Sequence, residues 1–219
     1  MLPFSRLVEY GNIIVYDDYV LNLDFTRQLP GDTSVIDYSS HGRIFTKLNT
    51  LQANIVQDST LKKNVMYFNG GVFSTPINND LDLSTKHFEI DVMYKSNISP
   101  IQILYGTGYY PDEPNRIGGL SHQIGQYSGQ DQYFLDDGVN YQRNLISGSD
   151  MYQWQRLVYT RNSSGVNIKV YRNGGLVSQI TYADYPFSNG TSFGVGGYYK
   201  TPTQWNFYGY MQYLKIKLL

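Results

Sequence analysis

The chain has no cysteine among its 219 residues, which excludes a disulfide framework, a thiolate metal site and a cysteine nucleophile. Its stability must come from the packed core alone. It also has no surplus of either charge: 17 basic against 18 acidic residues leave a net −1. The electrostatic footprint of a surface for DNA, RNA or anionic lipid is therefore missing. Long apolar runs are absent too. The opening stretch MLPFSRLVEYG is not apolar enough for a signal peptide, and nothing downstream approaches the length of a membrane span. The expectation is a chain made in a cytoplasm, without a nucleic-acid partner or a membrane span. Action outside a cell would then require release by something other than secretion. Internal repeats, low-complexity tracts and sustained helical periodicity are also lacking.

What the chain does have is tyrosine, 22 of them, with 21 glycines and 41% hydrophobic residues. That is too apolar and too patterned for disorder. Short β-branched and aromatic runs recur between Gly, Asn, Asp and Pro, which predicts an all-β protein. Residues 155–161 (QRLVYTR), 166–172 (VNIKVYR) and 176–182 (LVSQITY) read as a three-strand meander. Val166, Ile168 and Val170 point one way, and Asn167 and Lys169 the other. Asn173, Gly174 and Gly175 supply the positive φ of a tight hairpin. An earlier block has the same grammar: residues 64–68, a turn at Asn69, Gly70 and Gly71, residues 72–77, then 87–94. A further hairpin turns at Asp136, Asp137 and Gly138, and the last strands are 192–197 and 209–218. In the terminal strand the apolar face is mixed at first, with Met211 and Tyr213 opposite Gln212 and Leu214, and clears at Ile216 and Leu218. Antiparallel strands covering two faces make a sandwich, and its length fits one domain.

The order of blocks resembles the laminin-G-like or concanavalin A-like lectin and glucanase superfamily. The resemblance covers residues 21–219. It is carried by residues 21–25 (LNLDF), 37–42 (DYSSHG), 67–70 (YFNG), 82–84 with 88–92 (DLS, FEIDV), 154–161 (WQRLVYTR), 171–175 (YRNGG) and Gly196 and Gly197 leading to Ile216. It implies an antiparallel two-sheet jelly-roll sandwich. Such domains are widespread in extracellular, cell-surface and bacteriophage tail or virion proteins.

The resemblance also offers a catalytic lure. Laminarinase-type glucanases of this superfamily carry Glu-x-Asp-x-x-Glu on one strand, and Glu89 and Asp91 match its first two acids. Tyr94 stands where the third is needed. Without that acid the leaving oxygen has no positioned proton donor, so the expectation is no enzymatic activity and two carboxylates on a solvent-facing side of a strand. His41, His87 and His122 have no zinc-site spacing. Asp131, Asp136 and Asp137 offer oxygen ligands of the type calcium takes, but Asp137 and Gly138 are explained by a turn. The expectation is no cofactor and no metal, with calcium the one alternative. No Gly-x-Ser-x-Gly elbow anchors a hydrolase triad.

What remains is aromatic residues in loops: Tyr109, Tyr110, Asn115 and Arg116; Tyr127 and Tyr133; Tyr198, Tyr199 and Trp205. A ring face stacks on the C–H side of a pyranose while amides, carboxylates and guanidinium groups bond its hydroxyls. The same set suits a protein interface, and any one ring alone suits core packing. Residues 1–20, with Phe4, Leu7, Val8 and Tyr10, are too apolar to be left solvated. They read either as a segment that pairs with a sandwich edge or as an arm that docks on a larger assembly. That opening is similar to those of small phage structural proteins. The leading expectation is a non-enzymatic recognition module on a phage tail, tail fibre or capsid, contacting host-surface carbohydrate. The alternatives are a structural decoration or assembly protein bound to other virion subunits and, last, a glycan-cleaving enzyme.

Overall fold

The computed structural model describes residues 18–97, 101–108, 118–126, 130–150 and 152–219. They form fifteen strands: β1 (Tyr19–Asp24), β2 (Thr46–Lys47), β3 (Gln52–Asp58), β4 (Lys63–Asn69), β5 (Phe73–Pro76), β6 (Phe88–Ser96), β7 (Gln102–Gly106), β8 (Gly119–Gln126), β9 (Gln130–Asp136), β10 (Tyr141–Ile146), β11 (Gln155–Asn162), β12 (Gly165–Arg172), β13 (Gly175–Tyr182), β14 (Ser192–Val195) and β15 (Tyr208–Leu218). A single 3-10 turn, Phe25–Arg27, follows β1. The larger sheet runs β13-β12-β11-β6-β15-β4-β3, with β1 beside the second half of β15. The smaller sheet runs β10-β9-β8-β7-β14-β5-β2. All strand pairs are antiparallel, and the two sheets face one another as a jelly-roll-like sandwich.

The meander forms as the alternation dictates. In β11 to β13 every partner is antiparallel, and the β12–β13 connection is a two-residue turn with Asn173 at φ 50° and Gly174 at φ 78°, the geometry that matches strand twist. Val166, Ile168 and Val170 are buried and Asn167 and Lys169 are not. The similar tripeptide at 69–71 behaves differently, because β4 lies in the larger sheet and β5 in the smaller. It is a corner between sheets. The Gly70 carbonyl accepts from the side chains of Asn49 and Asn206, both 2.9 Å away. A Cβ on Gly71 would lie 2.8 Å from the Ala53 methyl, so only glycine lets the chain pass this close to β3.

The mixed face of the last strand also has a structural reason. A bulge between Met211 and Tyr213 adds one residue, so that Met211, Leu214 and Ile216 all reach the core. β1 begins at Tyr19, and Val20 already packs in the core, two residues before the expected start of the sandwich at 21. One apolar cluster draws on both sheets, with Phe68, Phe88, Tyr94, Tyr105, Tyr133, Tyr159 and Phe193 among its members.

Candidate functional site

β6 alternates without interruption: Phe88, Ile90, Val92 and Tyr94 are buried, whereas Glu89, Asp91 and Met93 are half-exposed. Glu89 and Asp91 therefore share the outer face of the larger sheet, and Tyr94 points to the opposite side. Position 94 is not on the carboxylate face at all. Asp91 is held by Arg156 through two hydrogen bonds, from Nε at 2.9 Å and Nη2 at 2.8 Å, and by the Tyr213 hydroxyl at 3.2 Å. This bidentate pairing raises the Arg156 pKa further above its ordinary value. Burial, then the Asp91 charge, raises that of Tyr213.

Beside this ion pair the outer face of the larger sheet opens into a cleft of about 340 Å³. It is lined by Thr60, Leu61, Met93, Trp154, Arg156, Tyr171, Asn173 and Gly174. Two hairpin turns supply its rims. Asp58 Oδ1 accepts from the backbone N–H of Thr60 at 2.9 Å and of Leu61 at 2.7 Å, which fixes the β3–β4 turn. The Asn173–Gly174 turn forms the other rim. Strand register puts Tyr171, Arg156 and Met93 side by side across β12, β11 and β6. The Arg156 guanidinium carbon lies 5.3 Å from the Tyr171 ring centroid, within cation–π range. Trp154 is 8% exposed, and its indole Nε1–H has no hydrogen-bond partner.

The sequence expectations divide three ways. Tyr109, Tyr110, Asn115, Arg116 and Tyr127, and the arm residues Phe4, Leu7, Val8 and Tyr10, lie outside the described residues. Tyr198, Tyr199 and Trp205 do come together, on the outer side of the smaller sheet, around Ile103 of β7. The Tyr198 and Tyr199 rings meet edge-on at 4.9 Å, and Ile103 N–H donates to the Trp205 carbonyl at 2.7 Å. Tyr198 itself is only 2% exposed, so Tyr199 and Trp205, both half-buried, are the accessible pair.

Tyr133 needs correction as a contact residue. It lies on the inner face of β9, fully buried, with ring centroids 4.8 Å from His122 and 4.3 Å from Tyr159. No ligand reaches it from solvent. It belongs to a sealed polar cluster in which the Tyr94 hydroxyl donates to Asp131, and Gln155 Nε2 donates to Asp131 Oδ2 at 3.0 Å and to Tyr94 at 2.8 Å. The Tyr105 and Tyr133 hydroxyls are bonded to one another. Burial pushes the phenol pKa values of Tyr94, Tyr105 and Tyr133 well above the ordinary value near 10. The cluster ties β6 and β11 of one sheet to β7, β8 and β9 of the other.

The three aspartates considered for calcium have other duties. Asp131 serves this cluster, Asp136 accepts from Gly138 N–H, and Asp137 accepts from Val139 and Asn140 N–H. Among the described residues, no group of three or more His, Asp or Glu side chains is gathered as a metal would need. Sequence reasoning missed the cleft, although one signal for it was present. Continuing the outward alternation of Asn167 and Lys169 reaches Tyr171, an aromatic on the solvent side of a strand.

No family model and no curated protein matches the chain. Solved structures do. Domain 4 of AbnA, a GH43 extracellular arabinanase from Geobacillus stearothermophilus, was solved in complex with arabinotriose. It superposes with a TM-score of 0.61 at 15% identity, over 92% of this chain and 93% of that one. The botulinum neurotoxin serotype D/C binding domain gives a TM-score of 0.61 at 16% identity, over 92% of this chain and 49% of that one. A structure of botulinum neurotoxin type C, whose cell entry is dependent upon interaction with two ganglioside molecules, gives 0.56 at 16% identity over 92% and 48%. The chain thus spans about half the length of the toxin structures and nearly all of the arabinanase domain. Likeness at this identity establishes a shared β-sandwich fold.

Proposed function

We propose that this chain is a non-catalytic carbohydrate-recognition module whose ligand lies in the cleft between the β3–β4 and β12–β13 turns. The observation that carries the reading is the make-up of that cleft. Tyr171, Trp154, Met93 and Leu61 provide apolar faces for the C–H side of a sugar ring. Arg156, Asn173 and Thr60 provide donors and acceptors at its edge. The arabinotriose and ganglioside ligands of similar folds agree with it. The non-catalytic part rests on chemistry: Asp91 is committed to Arg156 and Tyr213, and on β6 the third position of the acid pattern is Tyr94, on the buried face opposite Glu89 and Asp91. A glycan array followed by titration calorimetry tests the reading. Binding to at least one glycan, lost with Tyr171→Ala while the melting temperature holds, supports it; no binding to any glycan sinks it.

The finer reading is a concanavalin A-like or laminin-G-like domain displayed on a phage particle, with Tyr199 and Trp205 adding contacts on the other sheet. Residues 1–18, ahead of β1, would then dock on neighbouring virion subunits. The ordered sequence blocks and the apolar arm support this. A chain lacking residues 1–18, cut just ahead of β1, is expected to fold and bind glycan yet fail to enter particles; normal incorporation would remove the arm from that role. A purely structural virion role is the second reading, favoured by the same apolar arm.

A further inference from the structure

The cleft has a neighbour. On the other side of the β3–β4 turn lies a second hollow of about 500 Å³, lined by Val56, Gln57, Asp58, Ser59, Tyr67 and Tyr210. The turn contributes Thr60 and Leu61 to the cleft and Asp58 and Ser59 to the hollow. At the base the two are joined by aromatic rings. Trp154 of the cleft and Tyr210 of the hollow have centroids 6.3 Å apart, and Tyr210 and Tyr67 are 5.1 Å apart with planes inclined by 33°. Register explains the row, since Tyr67 and Tyr210 are direct partners on β4 and β15. Both rings are half-buried, so each retains a solvent-facing part.

We infer that the cleft and this hollow are two subsites of one groove, which takes an internal stretch of a neutral polysaccharide chain. The inference rests on the carbohydrate reading of the cleft and extends it to ligand length and charge. Length follows from the aromatic row: Tyr171 and Trp154 serve one sugar ring, Tyr210 and Tyr67 the next, and a single sugar fills only one of them. Charge follows from the ion pairs. Arg156 directs Nε and Nη2 to Asp91, and Asp58 Oδ1 accepts the backbone N–H groups of its own turn. Lys95 Nζ sits 5.9 Å from the Tyr210 centroid, where the ring face engages it. Among the residues that line the two hollows the one cation is Arg156, and it is paired with Asp91, so neither lining offers a free cation to select a carboxylate or sulfate. The turn between the subsites is held by its own hydrogen bonds, and Lys62 sits at φ 55° within it. The groove exists before ligand arrives, which limits the ordering cost of binding.

The test is calorimetric titration of the full chain with cello-, xylo-, manno-, malto- and arabino-oligosaccharides, from single sugars to hexasaccharides, with sialyllactose and oligogalacturonates as the acidic arm. Expected is a neutral series whose affinity climbs steeply from one sugar to the longer members. Tyr67→Ala and Tyr210→Ala should each weaken the longer ligands by about tenfold and leave the shortest detectable ligand unchanged. Thermal melts identify any variant that fails to fold, and the other variant then carries the test. The chain has two tryptophans, so a shift of the Trp154 indole N–H resonance on titration gives an independent reading. Binding that depends on Tyr171 but not on length, Tyr67 or Tyr210 would overturn the two-subsite groove while sparing the cleft. A preference for the acidic ligands would overturn the neutral assignment. Absence of binding to every saccharide removes the carbohydrate reading itself, and the groove with it.

Discussion

Two aromatic and polar clusters occupy opposite faces of the same two strands. On the inner side of β6 and β11, Tyr94 and Gln155 close around Asp131; on the outer side, Met93 and Arg156 close around Asp91 and Tyr171. Each joins a carboxylate, a nitrogen donor and tyrosines, one residue apart along the chain. The inner one is sealed between two sheets, so its hydrogen bonds hold the sandwich together. The outer one keeps a cleft beside it, so its groups are open to a ligand. Residue type does not separate the two, and strand alternation does.

The largest expected effect that would break the comparison is alkaline. Tyr94, Tyr105, Tyr133 and Tyr159 all have pKa values raised by burial. The folded state therefore keeps phenol protons that the unfolded chain releases. Their stabilisation is complete below the ordinary tyrosine pKa near 10 and falls as pH climbs beyond it toward the folded values. Each group contributes about 1 kcal/mol per pH unit there. Unfolding monitored by circular dichroism should coincide with the rise in phenolate absorbance; gradual ionisation of these tyrosines without unfolding would show the cluster to be open.

Tyr133→Ala should cost about 3–5 kcal/mol in denaturant unfolding, as loss of a large buried ring does. Asp131→Ala should cost less, about 2–3 kcal/mol, because the Tyr94 hydroxyl and Gln155 lose their shared acceptor inside the protein. Both variants should still bind any glycan the native chain binds at temperatures where they are folded. The smallest stability effect belongs to the outer face. Tyr171→Ala should change unfolding free energy by about 1 kcal/mol or less while removing binding measured by calorimetry. If Tyr171→Ala destabilised as much as Tyr133→Ala, the division between a structural and a recognition cluster would fail.

Much of the fold was legible because strands announce themselves locally. The β11 to β13 meander and the hairpin at Asp136 to Gly138 follow from alternation and turn residues, whereas the first strand came from the family resemblance of residues 21–25. β3, β7 and β8 were less visible. QANIVQD and GLSHQIGQ carry polar residues on strands where burial comes from neighbours, as at Gln123, fully buried within β8. The turn at Asn69 to Gly71 and the bulge at Gln212 depend on which sheet each flanking strand joins, a long-range choice that no local pattern encodes.

The cleft was not legible in the sequence. The sequence marks aromatic rings beside amides, of which Tyr199 and Trp205 remain accessible in the fold, and it rightly places Glu89 and Asp91 on an outward face. It could not tell that Tyr133 points inward, since assigning a face needs the register of β9 against β8. Nor could it bring Thr60 and Leu61 to Tyr171, more than a hundred residues away.

By itself the sequence determined an all-β chain without disulfides, thiolate metal sites or excess charge, together with the alternation and turns that build the meander. These are properties of neighbouring residues and of totals. Only the tertiary structure decided which tyrosines are sealed between the sheets and which line a groove. That choice is made when two sheets close on one face of each strand and a hairpin turn closes over part of the other.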